Sequence, residues 1–234
     1  FRYKGAEKQI LKNISFSVKA GERFAIVGAT GSGKSTIAKV LLRLNDIESG
    51  RILINGVDAL DLPLNCLWNQ ISYTPQKAYI FSGKIKDNFR FTNKDMTDKE
   101  MIKIAKIAQS YDFIDSLPDK FDSFVAQGGI NFSGGQKQRL SIARALSKDA
   151  NIYLFDDSFS ALDYATDAKL RKELKTFLKD KITIIIAQRL NTIADADKII
   201  VLKDSEITGM GTHQELLESN QEYIELAKSQ GILE

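Results

Sequence analysis

Two stretches of this 234-residue sequence have the residue types and spacing for phosphate chemistry. The first, GATGSGKST from Gly28 to Thr36, fits G-x-x-x-x-G-K-[ST], follows the apolar run RFAIVG and opens the helical pattern KSTIAKVLLRL. Glycines let backbone N–H groups turn inward around phosphate oxygens, and the helix N-terminus adds positive potential. Gly28, Thr30, Gly31, Ser32, Gly33, Lys34, Ser35 and Thr36 are the expected contacts. Lys34 would reach the β and γ phosphates and the Ser35 hydroxyl would hold Mg2+. A glycine turn capping an ordinary helix is the plain alternative, and the strand-to-helix context weighs against it. The second stretch, IYLFDDSFSALD from Ile152 to Asp163, runs from apolar residues into Asp156 and Asp157. A carboxylate ending a buried strand beside such a loop coordinates Mg2+ through water, which puts Asp156 in the metal's shell. The ligands expected are ATP and Mg2+.

Strands and helices that alternate along the chain must position these groups. RFAIVG, RILING, QISYT, NIYLF, KITIIIA and DKIIVL read as buried strands, and ILKNISFSV alternates as a half-buried one. Helical patterns separate most of them, which predicts an α/β architecture with a mostly parallel sheet. From Gly83 to Lys148 the patterns are mainly helical, including DKEMIKIAKIAQ and GGQKQRLSIARALSK. The expected division is a core over 1–82 and 149–234 with a helical subdomain, 83–148, inserted into it.

Composition narrows the partners. The net charge of +3 comes from 33 basic and 30 acidic residues, interspersed as in KLRKELKTFLKDK, a solvated helix face that argues against nucleic-acid binding. The longest apolar run, ITIIIA, is too short to cross a bilayer, and no charged-then-apolar leader opens the sequence, so the chain is expected to be soluble. It starts at Phe1 without Met, inside a strand pattern, which reads as a piece of something longer that carries membrane spans. The lone Cys66 rules out an internal disulfide framework and fits a reducing compartment.

A third stretch, FSGGQKQRLSIARAL from Phe132 to Leu146, sets Ser133 and the amides of Gly134 and Gly135 at a helix N-terminus, an anion site by geometry or simply a cap. With the other two motifs in order around it, the sequence resembles the ATP-binding-cassette superfamily, whose signature is matched by Ser133, Gly134, Gly135 and Gln136. The resemblance covers nearly the whole chain. It implies a P-loop NTPase (RecA-like) core with an N-terminal antiparallel β subdomain. It also implies that Tyr3 stacks on adenine, that Gln76 of YTPQ senses Mg2+ and contacts a transmembrane domain, and that SALD, Ser160 to Asp163, crosses to a second cassette. Each has a plainer reading: an edge-strand aromatic, a turn residue, and for Asp163 a helix N-cap. AYIFSGKIKDNFRF and the end GTHQELLESNQEYIELAKSQ resemble exporter cassettes, in which a membrane domain precedes the cassette on one polypeptide. Such cassettes lie at the cytoplasmic face of the cell membrane and pair head to tail, each ATP held by one chain's Gly28 loop and the other's Ser133 helix.

Three residues depart from the active family pattern. Asp157 stands where the hydrolytic base is Glu, and its carboxylate reaches about 1.5 Å less far, whereas a base must lie within about 3 Å of its proton. Gln188, in IIIAQRL, stands where a His contacts the γ-phosphate, and an amide can donate there but cannot carry a proton. Gln127 stands where many exporters have Glu, in the segment that faces the membrane domains. The only histidine, His213, reads as an ordinary residue at a helix start. The catalytic set is therefore Lys34, Gln76, Asp157 and Gln188. The resemblance implies an ATPase that powers export, and the two changes predict the degenerate-site half of a heterodimer, whose intact signature serves a non-identical partner. The alternative is a competent homodimeric exporter cassette. A clamp acting on DNA or ribosomes would need coiled-coil insertions, and none is present. A purely regulatory nucleotide-binding module is the remaining reading.

Overall fold

Runs of β-branched and apolar residues make strands that bury both faces, so a sheet built from them must lie between two layers. The computed structural model describes residues 1–233. In chain order it contains β1 (Arg23–Gly28), α1 (Lys34–Leu41), β2 (Leu53–Ile54), β3 (Val57–Asp58), α2 (Leu64–Gln70) and β4 (Ile71–Thr74). There follow β5 (Gly83–Lys84), α3 (Ile85–Arg90), α4 (Asp98–Ile107), α5 (Tyr111–Asp115), β6 (Phe124–Val125) and α6 (Gly134–Leu146). The chain closes with β7 (Ile152–Asp156), α7 (Tyr164–Phe177), β8 (Ile182–Ile186), β9 (Lys198–Lys203), β10 (Glu206–Gly211), α8 (His213–Ser219) and α9 (Gln221–Ser229). Six strands form one sheet in the order β10-β9-β1-β8-β7-β4, all parallel except β10. This is the expected α/β, RecA-like P-loop NTPase fold with its mostly parallel sheet.

The two-residue period of a strand divides the core between the faces. On β1, Ala25 and Val27 join Phe155, Ile185 and Val201 against Phe89, Leu140 and Ile142 of the helices that follow Gly83. Phe24 and Ile26 turn the other way, with Leu154, Ile184 and Ile200 against Ile37 of α1 and Leu67 of α2. The sheet is thus held on both sides, and the loops after its parallel strands share one edge.

Two expected strands differ from what forms. Ile10–Val18 keeps its alternation, with Leu11 buried and Ile14, Phe16 and Val18 half-buried, yet makes no ladder. Its side chains seat on the core instead, Phe16 stacking on Phe24 at 4.8 Å. Arg51–Gly56 was expected as a buried strand; only Leu53–Ile54 is one, and it is not buried. Asn55 and Gly56, at φ 51° and 82°, turn the chain back so that Ile54 pairs with Val57. Asn-Gly favours this two-residue hairpin because both positions need positive φ. The antiparallel β subdomain is therefore small.

Both sheet edges are guarded by side chains. On β10 the register shifts between Ile207 and Gly209, and Asn220 Nδ2 donates to the Thr208 carbonyl at 3.0 Å. On β4, Lys148 Nζ donates to the Ile71 carbonyl at 2.9 Å and also to that of Trp68. No helix among the described residues is long and apolar enough to cross a membrane.

Candidate functional site

The phosphate loop begins where β1 has no room for a side chain. A Cβ on Gly28 would lie 2.2 Å from the Leu202 carbonyl oxygen of β9, so the strand can lead into the turn only through glycine. Gly33, at φ 101°, caps α1 without a side-chain bond, and its missing Cβ would meet the Ile10 carbonyl at 2.7 Å. The helix therefore opens with N–H groups that no side chain takes. Ala29, Thr30 and Gly31 form the exposed tip. Lys34 is buried and folds back, Nζ donating to the carbonyls of Gly28 at 2.7 Å and Ala29 at 2.8 Å. Burial pushes the ammonium pKa down, against the pull of Asp157 and Asp156.

The strand-end carboxylates stand opposite. Asp156 Oδ1 accepts from the Ser35 hydroxyl at 3.0 Å and Oδ2 from the Tyr73 hydroxyl at 3.2 Å. Burial raises its pKa above the usual carboxylate range, and those two bonds oppose the shift. Asp157 leaves the strand at φ 47°, its N–H donating to the Ile186 carbonyl at 2.7 Å. Its Oδ2 accepts from Gln76 Nε2 at 3.1 Å and from Gln188 Nε2 at 2.9 Å. Burial raises its pKa too, with Gln76 and Lys34 the main opposing influences. The loops after β1, β4, β7 and β8 thus meet at the carboxyl edge of the sheet, where ligands of open parallel sheets bind.

The donor set fits ATP and a hard cation. Ser32 Oγ is buried without a partner, Lys34 is satisfied only by the loop's own carbonyls, and Ser35 with Asp156 offers an alcohol and a carboxylate oxygen. No group of three or more His, Cys, Asp or Glu side chains that could hold a metal occurs among the described residues. Two protein oxygens suit Mg2+, which keeps waters and takes substrate phosphates as ligands. Tyr3 reaches this end of the loop, its hydroxyl 3.1 Å from Thr36 Oγ1 and its ring 5.8 Å below Lys39 Nζ.

The signature residues stand apart from this cluster. Ser133 N-caps α6, Oγ accepting from the Gln136 N–H at 3.2 Å while Gln136 Oε1 accepts from the Ser133 N–H at 2.9 Å. Ser133 and Gly134 are exposed, and no hydrogen bond joins them to the phosphate loop among the described residues. Asp163 caps α7 by accepting from the Thr166 N–H at 3.0 Å. Gln127 is exposed in a short 3-10 turn, and His213 opens α8 with Nδ1 2.7 Å from the Tyr223 hydroxyl. Sequence reasoning missed Tyr73, whose only signal was an aromatic at the strand position two before the loop that carries Gln76. It also missed Gln230, which lies 42 residues from the backbone it bonds.

A phosphate loop, a strand-end carboxylate pair and a polar cluster on one edge of a RecA-like sheet define a nucleotide-binding ATPase of the P-loop class. Residues 11–160 match the ABC transporter family, and the chain belongs to it. It is 44% identical over 230 residues to an uncharacterized ABC transporter ATP-binding protein of Bacillus subtilis, covering 98% of this chain and 40% of that one. To an ATP-dependent lipid A-core flippase of Haemophilus influenzae it is 41% identical, covering 98% and 39%. A bacterial Atm1-family ABC exporter solved with ATP bound superposes with a TM-score of 0.95 at 39% identity, covering 99% of this chain and 41% of that one. The chain is therefore an ABC transporter ATP-binding domain related to exporters, and an ATPase. It spans about two fifths of the length of these relatives.

Proposed function

We propose that this chain is the ATP-hydrolysing cassette of an exporter, working against a second cassette and driving a membrane domain from the cytoplasmic face. The observation that carries this is the meeting of Lys34, Asp156, Gln76 and Gln188 around Asp157 at one sheet edge. In the proposed reaction Lys34 exchanges the carbonyls of Gly28 and Ala29 for phosphate oxygens of ATP. The free N–H groups of α1 hold the same phosphates. Mg2+, held by Ser35 and Asp156, would neutralise charge on the phosphate oxygens. Asp157 orients the attacking water and takes its proton, and its raised pKa makes it the stronger base. Gln188 shares its amide between Asp157 and the γ-phosphate, and Tyr3 stacks on the adenine. Gln76 leads from the carboxylate into Tyr79 and Phe91, exposed aromatics that suit a membrane-domain contact. We further propose that 83–148 shifts as one subdomain when the pair closes, bringing Ser133, Gly134, Gly135 and Gln136 to the other chain's ATP.

Two versions of the pair differ at Asp157. The 39% likeness to an ATP-bound Atm1-family exporter supports a competent cassette pairing with its own copy, in which Asp157 reaches the water directly or through a second one. The other version has this chain binding ATP persistently and completing the site of a non-identical partner. What favours that version is the short Asp157 carboxylate, whose Oδ2 is already taken by two amides. The deciding experiment is ATP turnover by the parent beside Asp157→Glu/Gln188→His, after ATP binding is verified for both and at concentrations high enough for pairing. Vigorous parental turnover supports the competent pair. Negligible parental turnover with a clearly active variant supports the unequal one.

A further inference from the structure

The segment after β8 must aim Gln188 at Asp157, although the side chains of Gln188 and Arg189 are both exposed. Its backbone is gripped by a side chain from the far end of the chain. Gln230 Nε2 donates to the Gln188 carbonyl at 2.8 Å, and Gln230 Oε1 accepts from the Leu190 N–H at 2.9 Å. One primary amide thus satisfies an acceptor and a donor on either side of Arg189, and two bonds fix the orientation of that backbone better than one.

Gln230 is itself well held. Its own N–H bonds the carbonyls of Leu226 and Ala227, and Gly231 turns left-handed at φ 66°. The Ile232 N–H then returns to the Ala227 carbonyl at 2.9 Å, the usual glycine-terminated helix end. Ile232 packs against the main core, and Tyr223 and Ala227 of α9 are fully buried. At the other side of the grip Leu190 is also fully buried. Two fixed points therefore define where residue 188 sits, and a continuous set of bonds runs from Gln230 through Gln188 to Asp157 Oδ2.

We propose that Gln230 is a positioning residue for ATP hydrolysis, holding the backbone of Gln188 and Leu190 so that the residue-188 side chain bears on Asp157. The inference rests on the reading of Asp157 as the hydrolytic carboxylate. A plain helix anchor would also use this amide, but its loss would lower stability and leave the chemical step unchanged. Gln230→Ala and Gln230→Glu separate the two roles, because Glu keeps the acceptor for Leu190 and loses the donor to Gln188. For Gln230→Ala, kcat should fall about tenfold with KM for ATP within about twofold, the signature of a lost transition-state contact. Gln230→Glu should lose most of kcat while retaining hydrogen-exchange protection at the Leu190 amide. Combined with Gln188→Ala, Gln230→Ala should add little, since both act through one side chain.

Parental kcat in Gln230→Ala, full additivity with Gln188→Ala, or unchanged Leu190 exchange in Gln230→Ala would each overturn the inference. If the parent does not turn over ATP, it is the reading of Asp157 that fails. The grip is then judged in the Asp157→Glu/Gln188→His background, where Gln230 faces the same backbone atoms: a loss of about tenfold upholds it and an unchanged rate overturns it.

Discussion

Asp157 is a carboxylate whose surroundings favour its protonated form. Its pKa is raised by burial, so the folded state holds its proton more tightly than the unfolded chain does. Stability therefore falls as pH rises from the ordinary carboxylate range through the raised native value, and below that window the penalty is absent. Asp157→Asn keeps an acceptor for both amides and removes the desolvated charge. It should melt higher than the parent at neutral pH, an advantage that disappears below about pH 4. If hydrolysis proceeds through this residue, turnover should drop at least about 100-fold in the same variant. A thermal-shift series against pH, paired with a phosphate-release assay, checks both. The meeting of Asp157, Gln76 and Gln188 follows from residue types and order, because each ends or follows a strand of one parallel sheet. Tyr73 was hidden, since an aromatic in a strand has many plainer uses, and only the register of β4 beside β7 sets its hydroxyl on Asp156.

At the level of elements, the loop glycines are not equivalent. A methyl on Gly28 would meet a backbone oxygen of β9, which cannot move aside, whereas one on Gly31, at φ 85°, meets open space and only backbone strain. Gly28→Ala should cost about 3 kcal/mol or more and Gly31→Ala about 1 kcal/mol, read as the difference in denaturant midpoint. The signature helix offers a second test. Removing its cap by Ser133→Ala should lower stability by about 1 kcal/mol and leave ATP affinity of the single cassette unchanged, because Ser133 bonds Gln136 and not the phosphate loop. The buried strands and their helices were legible because runs such as FAIV and ITIII have no other stable setting. The segments on either side of β1 and α1 were less so. A period-2 pattern over Ile10–Val18 records which side chains face the core but not whether a neighbouring strand is present to pair with. The hairpin of β2 and β3 had its signal in Asn55-Gly56, which was read as the end of a strand and not as its turn.

For the molecule as a whole, a site shared between two cassettes, as proposed, would make defects complementary. Lys34→Ala disables the loop of one cassette and a Ser133→Arg substitution obstructs the signature of another, yet a mixed pair keeps one complete site. Mixing the two variants should restore roughly a quarter of parental turnover where neither alone has activity, if two copies pair head to tail. If Tyr79 meets a membrane domain as proposed, Tyr79→Ala in the full-length protein should lower transport per ATP while leaving turnover of the cassette intact, a ratio measurable in vesicles. Neither the partner nor the cargo was legible in the sequence, because no motif in it carries a binding signature other than the one for nucleotide, and a pairing surface is half of a contact. The guarded sheet edges add a constraint on that contact. With the Thr208 carbonyl of β10 taken by Asn220 and the Ile71 carbonyl of β4 by Lys148, each edge offers one acceptor fewer to a strand added from another copy. If two cassettes pair as proposed, they would meet face on, across the loop edge, with nucleotide as much of the mortar. A seam of that kind would loosen when its filling is cut, and the same two bodies could be rejoined and parted many times over.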